Sequence, residues 1–442
     1  MLRRIPRDQA ILASLLTLFA CRAVVGSAVV PPWQGPDEPV HFVLVQMLAD
    51  DTPNSMRPKL EAQVLESMGR YRWWEPYDGR TPDPLPRTFG EAAARLGIGT
   101  YSQPLYYRVA ASVLRVGRPT SLEAAYWRLR ALSITFALLT LAMAWAGTRL
   151  LFGSAVAAGA TAIAALHPQF LLTSMSVSPD ALLIVLGSVM WWHVGRVIER
   201  GSARISLTVV VVAAIAALLT KRTAAPLSVV AVGIALASMI VPQTVRIPRR
   251  MVLRALGALG VCAILLVGTL ILVKGPIGHL VTVWHSALNL RRPLDEITLP
   301  QALEYSRISI DYVWLVAGWL RFPASEPWLW VARVLTIAGL TGAAVLIVRS
   351  PLLRRPLSIA WLFVVVQAVT VIGWGFFTHN SSQGRYLFPV IAPATALLWL
   401  GLTHVTPARA RPYAGPALIA ILAVMDVTGV TTVLMPAYLP WD

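Results

Sequence analysis

The sequence of 442 residues is poor in charge and in cysteine. Charged residues make up 13% of it, against about 25% in an average soluble domain. The two cysteines, Cys21 and Cys262, both fall in apolar segments, so no disulfide framework or cysteine-based metal site is expected. The phosphate-loop, His-Glu-x-x-His and Gly-x-Ser-x-Gly motifs are also missing. The sequence therefore carries none of these common signatures of nucleotide hydrolases, zinc proteases and serine hydrolases.

Apolar residues are abundant instead, at 56% of the sequence, and they occur in long runs. Because a helix needs roughly 20 apolar residues to cross a bilayer, the runs predict an all-α, polytopic membrane bundle that forms a single integral membrane domain over residues 1–442. Residues 308–322 are a candidate for a twelfth span or a re-entrant helix. The eleven predicted spans are 9–30, 129–151, 154–174, 180–198, 205–221, 225–242, 252–274, 327–348, 357–376, 387–404 and 413–435.

The net charge of +17 is distributed unevenly between alternate loops. A soluble protein with this charge would be expected to bind nucleic acid, whereas the positive-inside rule explains most of the excess in a membrane protein. Arginine clusters follow every second predicted span, and the other loops hold most of the acids. The pattern predicts a cytoplasmic N-terminus and no nucleic-acid partner. It also predicts two long extracytoplasmic segments, 31–128 with short juxtamembrane helices and 275–326.

The strongest chemical signal is the segment Pro31–Phe42, directly after the first span. Pro39 suits the first turn of a helix, which would make Glu38 its cap, with Asp37 just ahead and His41 one turn inside. A helix cap with a rigid turn is the structural alternative. The catalytic interpretation is a carboxylate at the membrane surface that takes a proton from an acceptor hydroxyl. Asp37 is the predicted base, and Glu38 is a second candidate or a partner that positions it.

Basic residues on the predicted outer face form a second signal, because the positive-inside rule makes them scarce there. Lys221 and Arg222 lie between the fifth and sixth spans, Lys274 ends the seventh, and Arg385 precedes the tenth. They predict a site for an anion such as a lipid phosphate. The alternative is snorkelling toward headgroups, above all for Lys274.

Other polar and aromatic residues are candidates for the substrate pocket. Asp180 in Ser176–Asp180 suits a helix N-cap, with a substrate or metal contact as the alternative. Tyr106 and Tyr107 are typical of an interfacial aromatic belt, and such rings also stack on sugars. The predicted pocket residues are His41, Asp180, Tyr106, Tyr107, Gln383 and Tyr386. No metal ligand set is defined, although a divalent cation on Asp37, Glu38 or Asp180 is an open alternative.

In this order, the segments resemble polytopic bacterial glycosyltransferases of the GT-C superfamily. The resemblance is carried by Pro36–Phe42 after span one and by Gln383–Pro389 late in the chain. Weaker matches are Gln103–Tyr107, Leu151–Gly153, Ser178–Asp180 and Gly318–Trp319 with Pro323. The resemblance implies a GT-C fold, a catalytic acid in the first outer loop and a polyprenyl-phosphate-sugar donor, at the outer face of the bacterial inner membrane. By motif position, Asp37 would be catalytic, Glu38 and Asp180 supporting acids, and Arg385 with Lys221 or Arg222 phosphate ligands.

The expected function is transfer of a sugar from this lipid donor to a glycan or other extracytoplasmic envelope acceptor, with membrane lipids as further partners. One departure from the family pattern is Gln103, where related chains often have proline. A transporter or flippase of polyprenyl-linked or cell-wall precursors is the alternative. Transporters place ionisable residues at mid-span. Here the mid-span stretches are nearly uncharged and the acids gather at one interface, which favours the enzyme. An inactive scaffold of an envelope pathway is a third interpretation.

Overall fold

A computed structural model of the chain describes residues 7–92, 104–200, 203–240, 298–374, 376 and 383–439. In these ranges the regular secondary structure is helical apart from one two-stranded hairpin. Eight of the described helices are long and apolar enough to cross a membrane, or nine if one bent pair counts as a single span. The chain is therefore a multi-pass membrane protein, as predicted, but the count of eleven is not confirmed. The predicted span 252–274 and Lys274 lie outside the described residues.

The first third of the chain holds two long helices with a group of shorter ones between them. They are α1 (Arg7–Val29), α2 (Glu38–Ala49), α3 (Arg57–Arg70), α4 (Glu75–Asp78), α5 (Leu105–Arg115) and α6 (Leu122–Phe152). The short helices share a core with the start of α6, built around Trp33, Trp73 and Tyr126. The predicted first outer segment is thus a packed layer on the end of the bundle.

The next helices are α7 (Ser154–Leu166), α8 (Pro168–Ser174), α9 (Pro179–Arg200), α10 (Ala203–Thr220) and α11 (Ala225–Ile240). A bend of 67° separates α7 from α8 at the His167-Pro168 step. Proline has no N–H to continue the helical ladder, so the last carbonyls of α7 need other donors. Arg22 of α1 donates to the carbonyls of Ala165 and Leu166, and Asp426 accepts from its guanidinium.

This ion pair corrects the expectation that the spans are nearly uncharged. Arg22 and Asp426 both lie in candidate spans, with side chains 10% and 14% exposed. Arg130 in α6 is a further buried cation, and it donates to the carbonyls of Met175 and Val30. All three are engaged with backbone or with each other, because charge inside a bundle is tolerated only when it is paired.

The remaining described elements begin with α12 (Leu299–Trp314) and a hairpin of β1 (Val316–Ala317) and β2 (Phe322–Pro323). They continue with α13 (Glu326–Arg349), α14 (Arg354–Ala368), α15 (Ile391–Val405), α16 (Arg411–Gly429) and α17 (Met435–Tyr438). The hairpin corrects the prediction of a span or re-entrant helix at 308–322. The chain leaves the helical conformation after Trp314 and reverses through Gly318, Trp319 and Leu320, which have φ angles of 56°, 53° and 67°.

Candidate functional site

A polar cavity of about 400 Å³ lies where the segment after α1 meets the start of α9, the end of α10 and the 3-10 segment Gly384–Val390. We call it the acid cavity. Its described lining is Asp37, His41, Tyr107, Pro179, Asp180, Thr220, Lys221, Arg385 and Tyr386. Seven of these nine residues are predicted site residues, so side chains that are far apart in the sequence converge on one place.

Asp37 reaches this cavity because its backbone turns the chain immediately before α2. It is the N-cap residue, in the left-handed region with φ 62°, and its side chain makes no capping hydrogen bond. Aspartate tolerates this region better than most residues. The side chain is 28% exposed, and its Oδ2 lies 3.6 Å from Nη2 of Arg385. The carboxylate therefore lines the cavity and does not cap the helix.

Glu38 was expected to cap α2, but it is the first residue of the helix, and Asp37 is the N-cap. Its carboxylate is fully buried and accepts from the hydroxyl of Tyr126 at 3.0 Å and from two backbone N–H groups, of Gly35 at 3.0 Å and Val177 at 2.8 Å. Burial raises the pKa of Glu38, while the charge of Arg130 and these hydrogen bonds oppose the shift. The contacts tie the Asp37 turn to α6 and to the chain before α9.

Asp180 joins the two cations of the acid cavity. Its Oδ1 lies 2.5 Å from Nζ of Lys221, and its Oδ2 lies 3.4 Å from Nε of Arg385. It is not the N-cap of α9 as expected, because the helix begins at Pro179 and the hydroxyl of Ser178 accepts from the N–H of Asp180. Arg385 therefore stands between Asp37 and Asp180, with only 6% of its side chain exposed.

The aromatic residues of the acid cavity are held from both sides. Nζ of Lys221 lies 3.8 Å from the ring centroid of Tyr386, a cation–π contact. Nδ1 of His41 lies 2.8 Å from the hydroxyl of Tyr107. Burial lowers the pKa of His41 to about 3, and the charges of Arg385 and Lys221 reinforce the shift against that of Asp180. His41 is therefore a neutral imidazole at physiological pH.

The structure places three other predicted site residues outside the described lining of the acid cavity. Arg222 is exposed, one residue beyond Lys221. Tyr106 is fully buried against Tyr107, and burial raises its pKa. Gln383 accepts from Nε of Arg385 at 2.8 Å and lines a different cavity.

That second cavity, of about 560 Å³, adjoins the acid cavity through Arg385, which lines both. We call it the glutamine cavity after Gln34, Gln169 and Gln383. Its other described lining residues are Val30, Gly35, Pro36, Arg130, Leu172, Thr173, Met175, Ser176, Tyr312, Val316, Ala317, Gly318, Trp319, Leu320, Gly384, Arg385 and Tyr438. Sequence reasoning missed all of these except Gln383 and Arg385. Arg130 had a usable signal, a basic residue inside a predicted span.

A third cavity, of about 930 Å³, is almost entirely apolar. It is lined by the residues that directly follow Tyr386, namely Leu387, Phe388, Val390 and Ile391, together with side chains of α12, α13 and α14. It therefore begins on the same short segment that carries Arg385. We call it the apolar cavity.

The described residues fit an anion better than a metal ion. No group of three or more His, Cys, Asp or Glu side chains suitable for a metal occurs in the part of the chain that the structure describes. The two acids that line the acid cavity, Asp37 and Asp180, have the guanidinium of Arg385 between them. A divalent cation would have to displace this charge, whereas a phosphate group would be attracted by it.

The sequence comparison adds the family to this geometry. Residues 120–271 match the family of dolichyl-phosphate-mannose-protein mannosyltransferases. This family is part of the GT-C superfamily, so the match confirms the resemblance predicted from the motifs. The match includes Arg130, Asp180 and Lys221. No curated protein matches the chain. Together with the membrane helices, the family match indicates a membrane glycosyltransferase.

Proposed function

We propose that this GT-C protein transfers a sugar from a polyprenyl-phosphate-linked donor to an envelope acceptor at the extracytoplasmic face of a bacterial inner membrane. The observation that carries the proposal is the composition of the acid cavity. One partly exposed carboxylate, Asp37, shares a single polar space with two cations, Arg385 beside it and Lys221 paired with Asp180. Transfer from a phosphate-linked sugar needs both functions close together, a base for the acceptor and positive charge for the leaving group.

In the proposed reaction, Asp37 accepts the proton of the acceptor hydroxyl as its oxygen attacks the anomeric carbon of the sugar. The bond between that carbon and the phosphate oxygen breaks, and its electron pair leaves with the polyprenyl phosphate. Arg385 and Lys221 would stabilise the charge that develops on the phosphate. Asp180 pairs with both cations and so keeps them in the cavity when no phosphate is bound.

The apolar cavity supports a lipid-linked donor. Polyprenyl chains offer only hydrocarbon surface, and the described lining is apolar except for His167, Thr336 and Thr395. Since the segment of Arg385 and Tyr386 runs directly into this lining, a lipid tail there would place its phosphate beside the two cations. Glu38 is assigned a positioning role, because its oxygens are occupied by three donors from the protein.

The transporter alternative required ionisable groups at mid-span, and Arg22 and Asp426 supply them. Their partners argue against a translocation path. Arg22 and Asp426 bind each other and close the broken end of α7, and Arg130 is engaged with backbone carbonyls. Groups that hold the backbone in this way are not available to carry an ion or a substrate through the bundle.

The test is the variant Asp37→Asn, which keeps a residue suited to the left-handed backbone. Loss of a general base is expected to reduce sugar transfer by about 10²- to 10⁴-fold, while the apparent Tm and donor binding stay close to wild type. The matched control is Asp50→Asn, an exposed carboxylate at the other end of α2, which should retain full activity. Transfer is measured with purified protein and a panel of labelled polyprenyl-phosphate sugars. An Asp37→Asn variant that transfers at the wild-type rate would remove Asp37 from catalysis.

A further inference from the structure

Gln169 is held in the wall of the glutamine cavity by its amide oxygen. The backbone N–H of Val316 in β1 donates to Oε1 at 2.8 Å. Only the oxygen of the amide can accept a hydrogen bond from an N–H group, so this contact fixes the orientation of the amide. Gln169 is 6% exposed, and its Nε2 has no protein partner in the part of the chain that the structure describes.

Gln34, from the segment after α1, is also held in the cavity wall by its amide oxygen. The hydroxyl of Tyr77 donates to its Oε1 at 2.7 Å, the residue is 3% exposed, and its Nε2 likewise lacks a partner among the described residues. Both residues line the cavity, and neither Nε2 is sealed from its space, so each can donate to a group that enters. Two such amide groups in one cavity therefore suit a ligand that offers them oxygen acceptors.

The charge of the glutamine cavity is of one sign. Arg130 and Arg385 line it, and no Asp or Glu is among its described lining residues. A cationic ligand group would find two guanidinium groups and no carboxylate there. Hydroxyl, carbonyl or carboxylate oxygens would find donors.

An aromatic face completes the cavity. Trp319 has a φ of 53°, a conformation that persists only where the surroundings enforce it. Its indole N–H donates to the carbonyl of Trp33 at 3.3 Å, and its ring packs edge-on against Trp73. The fixed ring offers a flat apolar surface next to the amide donors, as expected for a site that binds a sugar ring.

We propose that the glutamine cavity binds the glycosyl group of the donor, and that Gln169 selects sugars with oxygen acceptors and no ammonium group. The proposal rests on the proposed function, because a donor phosphate at Arg385 places the attached sugar beside this cavity. Gln169 and Gln34 donate to the sugar oxygens, and Arg130 and Arg385 exclude a cationic sugar.

The experiment uses three donors on the same polyprenyl phosphate, which carry a neutral hexose, its 2-amino analogue with a free ammonium group, or its uronic acid. Donor binding and transfer are both measured, for wild type and Gln169→Glu. This substitution keeps an oxygen for the N–H of Val316 but replaces the amide donors by a negative charge. The matched control is Gln301→Glu, an exposed glutamine in the capping box of α12, where glutamate serves equally well.

Wild type is expected to bind the neutral donor about ten- to hundredfold more tightly than the amino-sugar donor. Gln169→Glu should weaken neutral and uronic-acid donors and tighten the amino-sugar donor, while Gln301→Glu leaves all three unchanged. Equal wild-type affinity for the neutral and amino sugars, or an unchanged preference in Gln169→Glu, would overturn the proposal. If the donors bind with the expected preference but are never transferred, the transferase proposal fails and the cavity assignment stands. If they are transferred without any preference, the cavity assignment fails and the transferase proposal stands.

Discussion

Asp37 and Glu38 are adjacent acids with opposite environments. The left-handed N-cap at Asp37 sends the two side chains in different directions, so Glu38 is buried among three donors while Asp37 faces Arg385. The motif in the sequence indicated that this pair matters and that it follows the first span. It favoured Asp37 as the base but left Glu38 as a second candidate, because the burial of Glu38 depends on Tyr126 and Val177, which come from other parts of the chain.

His41 should make the fold sensitive to acid. Its pKa is about 3 in the folded protein, lowered by burial, and 6.5 in the unfolded chain. Between these values only the unfolded chain binds the proton. The contribution of His41 to the free energy of unfolding is therefore complete above pH 6.5 and is lost as the pH falls toward 3. Each pH unit in this window is worth up to about 1.4 kcal/mol. The apparent Tm in detergent should therefore fall between pH 7 and pH 5, and fall less in His41→Gln.

The difference between these two proteins isolates His41 from other titrating groups. Glu38 acts in the opposite direction, because its raised pKa lets the folded protein bind a proton that the unfolded chain has lost above pH 4.5. The groups that face His41 are Asp180, Lys221, Arg385 and the hydroxyl of Tyr107. They are the same in both proteins when His41→Gln keeps the cavity intact. Parallel Tm curves for wild type and His41→Gln from pH 7 to pH 5 would show that His41 takes up its proton as readily in the folded state.

At the scale of elements, the position of Arg385 depends on two glycines. A Cβ at Gly187 of α9 would lie 2.0 Å from the carbonyl oxygen of Pro389, and one at Gly384 would lie 2.0 Å from the backbone N of Val313 in α12. The segment Gly384–Val390 is therefore clamped between two helices by direct backbone contact. Its short length and its proline would otherwise leave the cation without a fixed support.

Gly187→Ala should push this segment away from α9. Overpacking typically costs about 1–3 kcal/mol, and the displaced Arg385 should weaken donor binding as well. The control is Gly233→Ala in α11, where a Cβ meets no atom within 4 Å among the described residues and helix propensity favours alanine by up to about 1 kcal/mol. Thermal unfolding and donor affinity are measured on both. A Gly187→Ala protein as stable and as tightly donor-binding as the control would show that the contact is not restrictive.

The elements could be predicted where one local rule decides them. Apolar runs gave the long helices, whereas the bend between α7 and α8 divides the predicted span 154–174 at Pro168, where the helical ladder loses an N–H. The hairpin of β1 and β2 was missed because its reversal uses Trp319 and Leu320 at positive φ, which no sequence pattern announces. The glutamine cavity was missed with it, since Gln169 becomes part of a site only when Val316 binds its amide oxygen.

At the scale of the whole molecule, the cavity lining agrees with the alternating charge of the loops. The glutamine cavity brings together the end of α1, the start of α6, the chain before α9 and the end of α17. In the orientation expected from the positive-inside rule, all of these ends lie on the extracytoplasmic side. The packing thus places them on one face of the bundle, and the charge pattern supplies the prediction of which side of the membrane that face meets.

Labelling of single cysteines in intact cells tests that prediction. In a background without Cys21 and Cys262, Arg80→Cys lies in the exposed part of the first predicted outer segment, and Leu352→Cys lies in the α13–α14 connection, where Leu352 is 91% exposed. A membrane-impermeant maleimide should label the first variant in intact spheroplasts and the second only after permeabilisation. Both positions are accessible to water, so accessibility of the thiol cannot explain a difference between them. The opposite pattern would place Asp37 and the acid cavity in the cytoplasm, where an extracytoplasmic acceptor could not reach them.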